Sequence, residues 1–387
     1  MVKAFRYRIY PTKAQETLLE QMLEECRWAY NETLAYRRDA WQERQEVIYY
    51  YGTTKLLPQW KQERPTLNIV YSQVLQDAQH RVDKAFKGFF RRAQNGEEPG
   101  YPRFKGKERY RSITYPQFGF GLTHDGKLHL SKVGDVKIKL HRPIEGKAKQ
   151  VTIRRYPTGK WFACFTAEVE PKPLPETGKY VGIDLGLSTF AALSNGKQVA
   201  NPRFFRKEEK ALAKPQRRLS ETEKGTPEYA GRRKVVARIH ERIANKRTDF
   251  SHRLSHQLVN DYDVIAFEDL NVKAMVKNHC LAKSISDAAW RQLITHTVQK
   301  AENATRRVVL VDPRNTSKTC SRCGRLVEKT LSDRVHSCPH CGLEIDRDLN
   351  AAINVLTLGL QGLGLGPGSP RLKSGEQSPY HPGLVHS

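Results

Sequence analysis

Three short segments set carboxylates where carboxylates are expensive. Val181-Gly182-Ile183-Asp184-Leu185-Gly186 and Ile265-Ala266-Phe267-Glu268-Asp269-Leu270 bring an acid to the end of an apolar, strand-like run, and Asp346-Arg347-Asp348-Leu349-Asn350-Ala351-Ala352 puts one at the start of a helix. A charge against apolar neighbours is tolerated when a cation compensates it. Three converging carboxylates are the usual means of holding Mg²⁺ ions, which keep several waters and take their other ligands from phosphates. Asp184, Glu268 and Asp348 are therefore the candidate catalytic residues and ligands, with two ions the expected number. Strand alternation turns Asp269 away from the face of Glu268. Asp348 has a competing reading as a helix N-cap, and Asp346 is then the next choice of ligand. The chemistry this predicts is metal-dependent hydrolysis of phosphodiesters.

A second constellation is local. Cys320-Ser321-Arg322-Cys323 and Cys338-Pro339-His340-Cys341 are paired C-x₂-C turns, each followed by a glycine suited to left-handed geometry, Gly324 and Gly342. Cys320, Cys323, Cys338 and Cys341 should close a tetrahedral structural Zn²⁺ site, and four thiolates leave no open position for catalysis. His336 and His340 are weaker substitutes. Cys26, Cys164 and Cys280 lie in apolar surroundings and read as plain buried thiols.

Such sites need a scaffold and a partner. The chain has 387 residues and a formal charge of +25, from 66 Lys and Arg against 41 Asp and Glu. That excess points to polyanions, because each cation meeting a phosphate releases counterions. No stretch resembles a signal core or a membrane span, so a cytoplasmic protein with no membrane partner is expected. Cations and aromatics interleave from Arg81 to Tyr115, where Arg81, Lys84, Tyr101, Arg103, Phe104, Lys105, Lys107 and Arg109 are candidate contacts to backbone and unpaired bases. Phe86, Phe89 and Phe90 read instead as a helix's core face. A long helix from Glu228 to Val259 carries Arg232, Arg233, Arg238, Arg242 and Lys246, with too few acids in the same helix to answer them. Those five are further phosphate-facing candidates.

The elements follow from periodicity. Alternation over Lys3 to Tyr10 predicts a strand, and Thr12 with Gln15 a capping box opening a helix. Further helices are expected over Glu32 to Val47 and Asn68 to Arg92. Two hairpins, one turning at Gly134-Asp135 and one at Pro157-Thr158-Gly159-Lys160, suggest a small barrel with the helices inserted between its strands. Pro171 to Gly178 is a Pro-rich linker. Beyond it, strands at Tyr180 to Asp184, Thr189 to Ser194, Asp263 to Phe267 and Val308 to Val311 alternate with helices, including Ser286 to Asn303 and Asp348 to Leu358. The Gly- and Pro-rich stretch from Gly359 onward is expected to be a disordered tail.

The order of these motifs resembles the TnpB family, RNA-guided endonucleases encoded by bacterial insertion sequences and related to type V CRISPR effectors. The likeness rests on Phe5 to Thr12, Tyr101-Pro102-Arg103-Phe104-Lys105, the Asp184 and Glu268 strands, the paired cysteines and Asp346 to Ala352. The resemblance implies a multidomain α+β protein: an N-terminal β-barrel wedge with an inserted helical recognition module, then an RNase H-like (RuvC) α/β nuclease domain interrupted by a zinc ribbon. The expected boundaries are a wedge of residues 1–11 and 116–170, a helical module of 12–115, a linker of 171–179, a nuclease domain of 180–313 and 345–358, a ribbon of 314–344 and a tail of 359–387. It implies that Asp184, Glu268 and Asp348 bind the catalytic Mg²⁺ ions, that a guide RNA derived from the transposon end pairs with double-stranded target DNA, and that a short flanking DNA motif is read by the protein. A nuclease-inactive RNA-guided repressor and a strand-joining transposase are the alternatives.

Overall fold

Phe5, Tyr7 and Ile9 are buried and Arg6 and Arg8 are not fully so, which makes Val2–Tyr10 (β1) a one-sided strand. Pro11 stops it, and Thr12 and Gln15 close a reciprocal capping box that opens α1 (Lys13–Arg44). Two helices were expected here and one forms, because the segment holds no glycine or proline. Short helices α2 (Tyr50–Thr54) and α3 (Leu57–Glu63) and a 3₁₀ turn (Pro65–Ile69) lead to α4 (Ser72–Gln94). Six more strands follow: β2 (Ser112–Tyr115), β3 (Phe120–Leu122), β4 (Lys127–Leu130), β5 (Gly134–Lys139), β6 (Lys147–Arg155) and β7 (Trp161–Glu168).

The computed structural model describes residues 1–107, 109–330 and 333–365, in two units that divide after Val169. In the first unit the strands form an antiparallel sheet in the order β2-β6-β7-β1-β5-β4-β3. The expected barrel is left open between β2 and β3, and Tyr115 on β2 reaches across by donating its hydroxyl to the Ser131 carbonyl at 3.0 Å. The first hairpin turns at Ser131 to Val133, with Gly134 already opening β5. Leu19, Met22 and Cys26 of α1 and Val74, Ala78 and Val82 of α4 share one core with Phe5, Ile113 and Phe165 of the sheet. The helices are therefore packed on the strands, not set apart from them.

The second unit is built on β8 (Tyr180–Asp184), β9 (Thr189–Leu193), β10 (Gln198–Ala200), β11 (Val264–Glu268) and β12 (Arg307–Val311), in the order β10-β9-β8-β11-β12. β8, β11 and β12 are parallel, while β9 runs against its neighbours. Between them lie α5 (Phe204–Ser220), a helix beyond those expected from periodicity, α6 (Pro227–Asp261), α7 (Val272–Met275), α8 (His279–Ala288) and α9 (Trp290–Ala304). The single helix expected over Ser286 to Asn303 is broken at Ala289, which is left-handed at φ 55°. Just before the break, Asp287 is drawn onto the N–H groups of Phe205 and Arg206 and onto the Arg247 guanidinium. The Pro-rich run is no free linker: Lys172 and Leu174 donate to the Asn303 and Ala304 carbonyls, and Asp263 accepts the N–H groups of Thr177 and Gly178.

A two-stranded ribbon, β13 (Val335–Ser337) and β14 (Glu344–Asp346), precedes α10 (Arg347–Gly362). Gly359 to Gly362, expected in the tail, are the last turn of α10, and residues 366–387 lie outside the described residues. α10 packs so closely on the sheet that a Cβ at Gly182 of β8 would meet the Ala352 carbonyl oxygen at 2.1 Å. That contact is why β8 carries a glycine two residues before its acid. Gly186 likewise serves a tight turn, since a Cβ there would sit 2.8 Å from the Thr189 oxygen.

Candidate metal centres

Parallel β8 and β11 run in register, with Phe267 opposite Ile183, so their terminal acids Asp184 and Glu268 emerge side by side at the carboxyl edge of the sheet. Ligands of open α/β sheets gather at that edge. The strands behind the acids are anchored by Val181, Ile183, Ile265 and Phe267, all fully buried. Glu268 itself is 5% exposed, whereas Asp269 faces outward toward Arg291, as alternation requires. The first turn of α10, seated on β8, supplies Asp348.

The competing N-cap role is taken by another residue. Asp346 caps α10, its Oδ1 accepting the N–H groups of Asp348 and Leu349 at 3.0 Å each. Asp348 is thereby released from capping, and its Oδ1 accepts Nε and Nη2 of Arg347 at 3.2 and 3.1 Å.

The acids feel one another. The Asp184 carboxyl is pushed up to about 8, first by burial and then by the charges of Glu268 and Asp348, with Arg347 opposing. Burial also raises Glu268, against the hydrogen bond it accepts from Thr316 at 2.6 Å. Among the described residues, only the four cysteines bring three or more ligand atoms within 4.8 Å of one another. Asp184, Glu268 and Asp348 do not come together that closely. An oxygen-only donor set with this excess negative potential suits Mg²⁺.

The cysteine cluster is built from two matching turns. Gly324 N–H bonds the Cys320 carbonyl and Gly342 N–H the Cys338 carbonyl, each at 2.9 Å, with both glycines left-handed at φ 73° and 67°. Sulfurs of Cys320 and Cys341 lie 3.5 Å apart, and those of Cys323 and Cys338 3.7 Å. His336 and His340 stand outside this group of four. Of the remaining cysteines, Cys26 is buried, Cys164 partly so, and Cys280 exposed, contrary to expectation, at the start of α8.

The proposed nucleic-acid contacts separate into two kinds. Arg81 is committed to the fold, bonding Asp77, the Ser112 carbonyl and the Thr114 hydroxyl. Lys84, Tyr101, Arg103, Phe104, Lys107 and Arg109 are exposed, and Lys105 partly so. Asn31 of α1 fixes this segment by bonding both backbone groups of Lys105. Tyr101 packs edge-on to Phe86 and Phe89, while Phe90, expected in the core, is 53% exposed. On α6, Arg238 is exposed, Arg233 is partly buried, and Arg232 pairs with Glu228. Arg242 and Lys246 are answered by Glu208 of α5, a partner that counting acids within α6 could not reveal.

The sequence reading missed Thr316, Asn350 and Asn354, which tie the ribbon to the sheet and α10. Asn350 and Asn354, four residues apart among the alanines and aliphatic residues of α10, were the available signal, because buried amides need partners.

Residues 164–279 match the family described as "Probable transposase", OrfB_IS605, and residues 290–355 match "Cas12f1-like, TNB domain". A "Putative RNA-guided DNA endonuclease" of Streptomyces pristinaespiralis is 36% identical over 376 residues, covering 95% of this chain and 91% of the relative. The chain belongs to the TnpB family. InsQ of Escherichia coli (strain K12), a TnpB relative of the same description, is 29% identical over 378 residues, 92% of each protein. A solved Cas12f1–sgRNA–target DNA complex shares the fold at TM-score 0.56 and 13% identity, over 92% of this TnpB chain and 98% of that one. Residues 1–46 also match a "Helix-turn-helix domain", although in this TnpB they form β1 and one uninterrupted helix. No helix among the described residues is long and apolar enough to cross a membrane.

Proposed function

We propose that this TnpB member is an RNA-guided DNA endonuclease that hydrolyses phosphodiesters at Asp184, Glu268 and Asp348. The observation that carries the reading is the meeting of these three acids at one sheet edge, with Asp184 pushed up to about 8 by burial and by the other two. Mg²⁺ ions bound there would supply Lewis acidity to the scissile phosphate and an activated water. The chain's own part is to hold three acidic side chains close and half-dry. β8 and β11 fix two through the sheet register, α10 fixes the third, and Asp346 keeps the helix start rigid.

Cys320, Cys323, Cys338 and Cys341 would hold structural Zn²⁺, since four thiolates complete a tetrahedral shell. Lys84, Tyr101, Arg103, Phe104, Lys105, Lys107, Arg109, Arg232, Arg233, Arg238, Arg242 and Lys246 would track guide and target, while Arg81 serves the fold. The domain scheme consistent with this reading is a wedge and helical module over residues 1–169, followed by a RuvC-like nuclease domain interrupted by the ribbon. The guide would derive from the transposon end, and the target would lie beside a short flanking motif.

The test is co-expression with the flanking transposon end, sequencing of the RNA that co-purifies, and incubation with plasmid carrying the matching target. Cutting with Mg²⁺ and none with EDTA is expected. Binding without cutting would favour a repressor, and covalent joining of target to transposon ends a transposase.

A further inference from the structure

We propose that Thr316 is a positioning residue for Glu268, so that the stem of the cysteine ribbon is part of the active-site scaffold. The proposal rests on the nuclease reading above. Glu268 is buried at the end of β11, and a buried carboxylate is costly until its oxygens find donors. Thr316, 3% exposed, donates its hydroxyl to Glu268 Oε1 at 2.6 Å.

A hydroxyl has one proton, and Thr316 Oγ1 also lies 3.0 Å from the Pro313 carbonyl. The shorter contact to the group that can carry charge takes the proton, because charge-assisted hydrogen bonds are both shorter and stronger. One oxygen of Glu268 is thus fixed to the stem, and the other remains for a cation.

Thr316 is in turn held from the opposite side. The Asn354 amide donates to the carbonyls of Thr316 and Thr319 at 2.8 and 2.7 Å. Asn350 donates to the Thr319 carbonyl at 2.8 Å and accepts the Ser321 N–H at 2.9 Å. Both asparagines belong to α10, whose first turn carries Asp348. Residues 316–321, which include the zinc-ligand candidate Cys320, therefore brace the strand bearing one acid against the helix bearing another. A hydroxyl that only filled space would not need to be aimed at the carboxylate, and a stem that only carried the ribbon would not need two buried amides gripping its carbonyls.

Outer partners of metal-binding carboxylates usually govern metal affinity. Thr316→Val keeps the shape and removes the donor. With guide RNA and target DNA bound as in the wild type, it should raise the Mg²⁺ concentration for half-maximal cleavage by about 10- to 100-fold, with partial recovery at high Mg²⁺. Thr316→Ser should restore the requirement to within about threefold, because it restores the donor. An unchanged metal requirement in Thr316→Val, or Thr316→Ser as impaired as Thr316→Val, would overturn the proposal. Zinc content is measured on each variant. If Thr316→Val loses zinc, Asn354→Ala decides: a raised Mg²⁺ requirement with zinc retained supports the brace, and an unchanged one overturns it. Glu268→Ala separates the two readings. If it still cuts, the nuclease reading fails, whereas a dead Glu268→Ala beside an unaffected Thr316→Val sinks only the brace.

Discussion

The four thiols and the three carboxylates are assembled by opposite means. Cys320, Cys323, Cys338 and Cys341 come from two local turns with the same backbone hydrogen bonds, and their sulfurs are already within 4.8 Å of one another. Asp184, Glu268 and Asp348 come from two strands and a helix, and they meet only because a parallel sheet is paired and α10 is seated on it. Soft sulfurs in a closed shell make a site for stability, while oxygens at an open sheet edge leave room for water and substrate. The difference teaches that the cheaper site to build is the structural one. The proposed catalytic one depends on packing throughout the second unit, and its Glu268 accepts a hydrogen bond from Thr316 at the stem of the cysteine ribbon.

The largest expected effect breaks the comparison on the carboxylate side. On the proposed reading, Asp184→Ala, Glu268→Ala or Asp348→Ala should each lower cleavage by about 10³-fold or more while leaving guide and target binding within about threefold, because each would remove a metal ligand and none sits in the basic segments. Single-turnover cleavage and filter binding measure both. Asp346→Ala should differ in kind: it removes a cap, at a cost of about 1 kcal/mol, and should lower the melting temperature while most cleavage survives. A dead Asp346→Ala with an active Asp348→Ala would reverse the assignment of the third ligand.

On the thiol side, Cys320→Ser should lower bound zinc by elemental analysis and loosen the ribbon to proteolysis, since metal binding in such modules is folding free energy. Activity should fall too, because residues 316–321 hold Glu268 and α10. A zinc-free variant that cuts normally would separate the two sites that the stem joins.

A smaller effect concerns pH. Asp184 binds its proton more tightly in the folded protein than in the unfolded chain, whose aspartates titrate near 3.8. As pH rises from there toward about 8, the unfolded chain gives up its proton and the folded one resists, so the metal-free protein should lose stability across that window and level off above it. Mg²⁺ should restore more stability at pH 8 than at pH 6, and Asp184→Asn should raise the metal-free melting temperature at pH 8 by roughly 3–8 °C. A flat metal-free profile would show that Asp184 is neither dried by burial nor crowded by Glu268 and Asp348.

The smallest effect concerns the first unit. Arg103→Ala with Lys107→Ala should reduce the salt dependence of RNA binding by about two units of log–log slope, one for each phosphate contact. Arg81→Ala should instead destabilise the first unit, because its guanidinium holds Ser112 and Thr114 of β2. A larger effect on slope than on melting for Arg81→Ala would return it to the nucleic-acid surface.

What could be read from residues alone was whatever the chain expresses locally. The C-x₂-C turns, the Thr12 capping box, the end of β8 at Asp184 and the outward turn of Asp269 each depend on neighbours a few positions away. The acids were visible as anomalies, because a carboxylate beside an apolar run needs an explanation wherever it folds. Their division of labour was not visible. Asp346 and Asp348 are equivalent as letters, and only the seating of α10 makes one a cap and the other a neighbour of Asp184 and Glu268. Arg81 looked like Lys84, yet the packing of α4 on β2 turned the first inward and left the second in solvent. The single helix split at Ala289, the opening between β2 and β3, and the Thr316–Glu268 bond join residues distant in the chain, where no periodicity carries a signal. By itself the sequence determined which side chains could do chemistry and the short elements that carry them. Tertiary structure decided which of those side chains meet, because burial, register and charge repulsion act between elements and not along them.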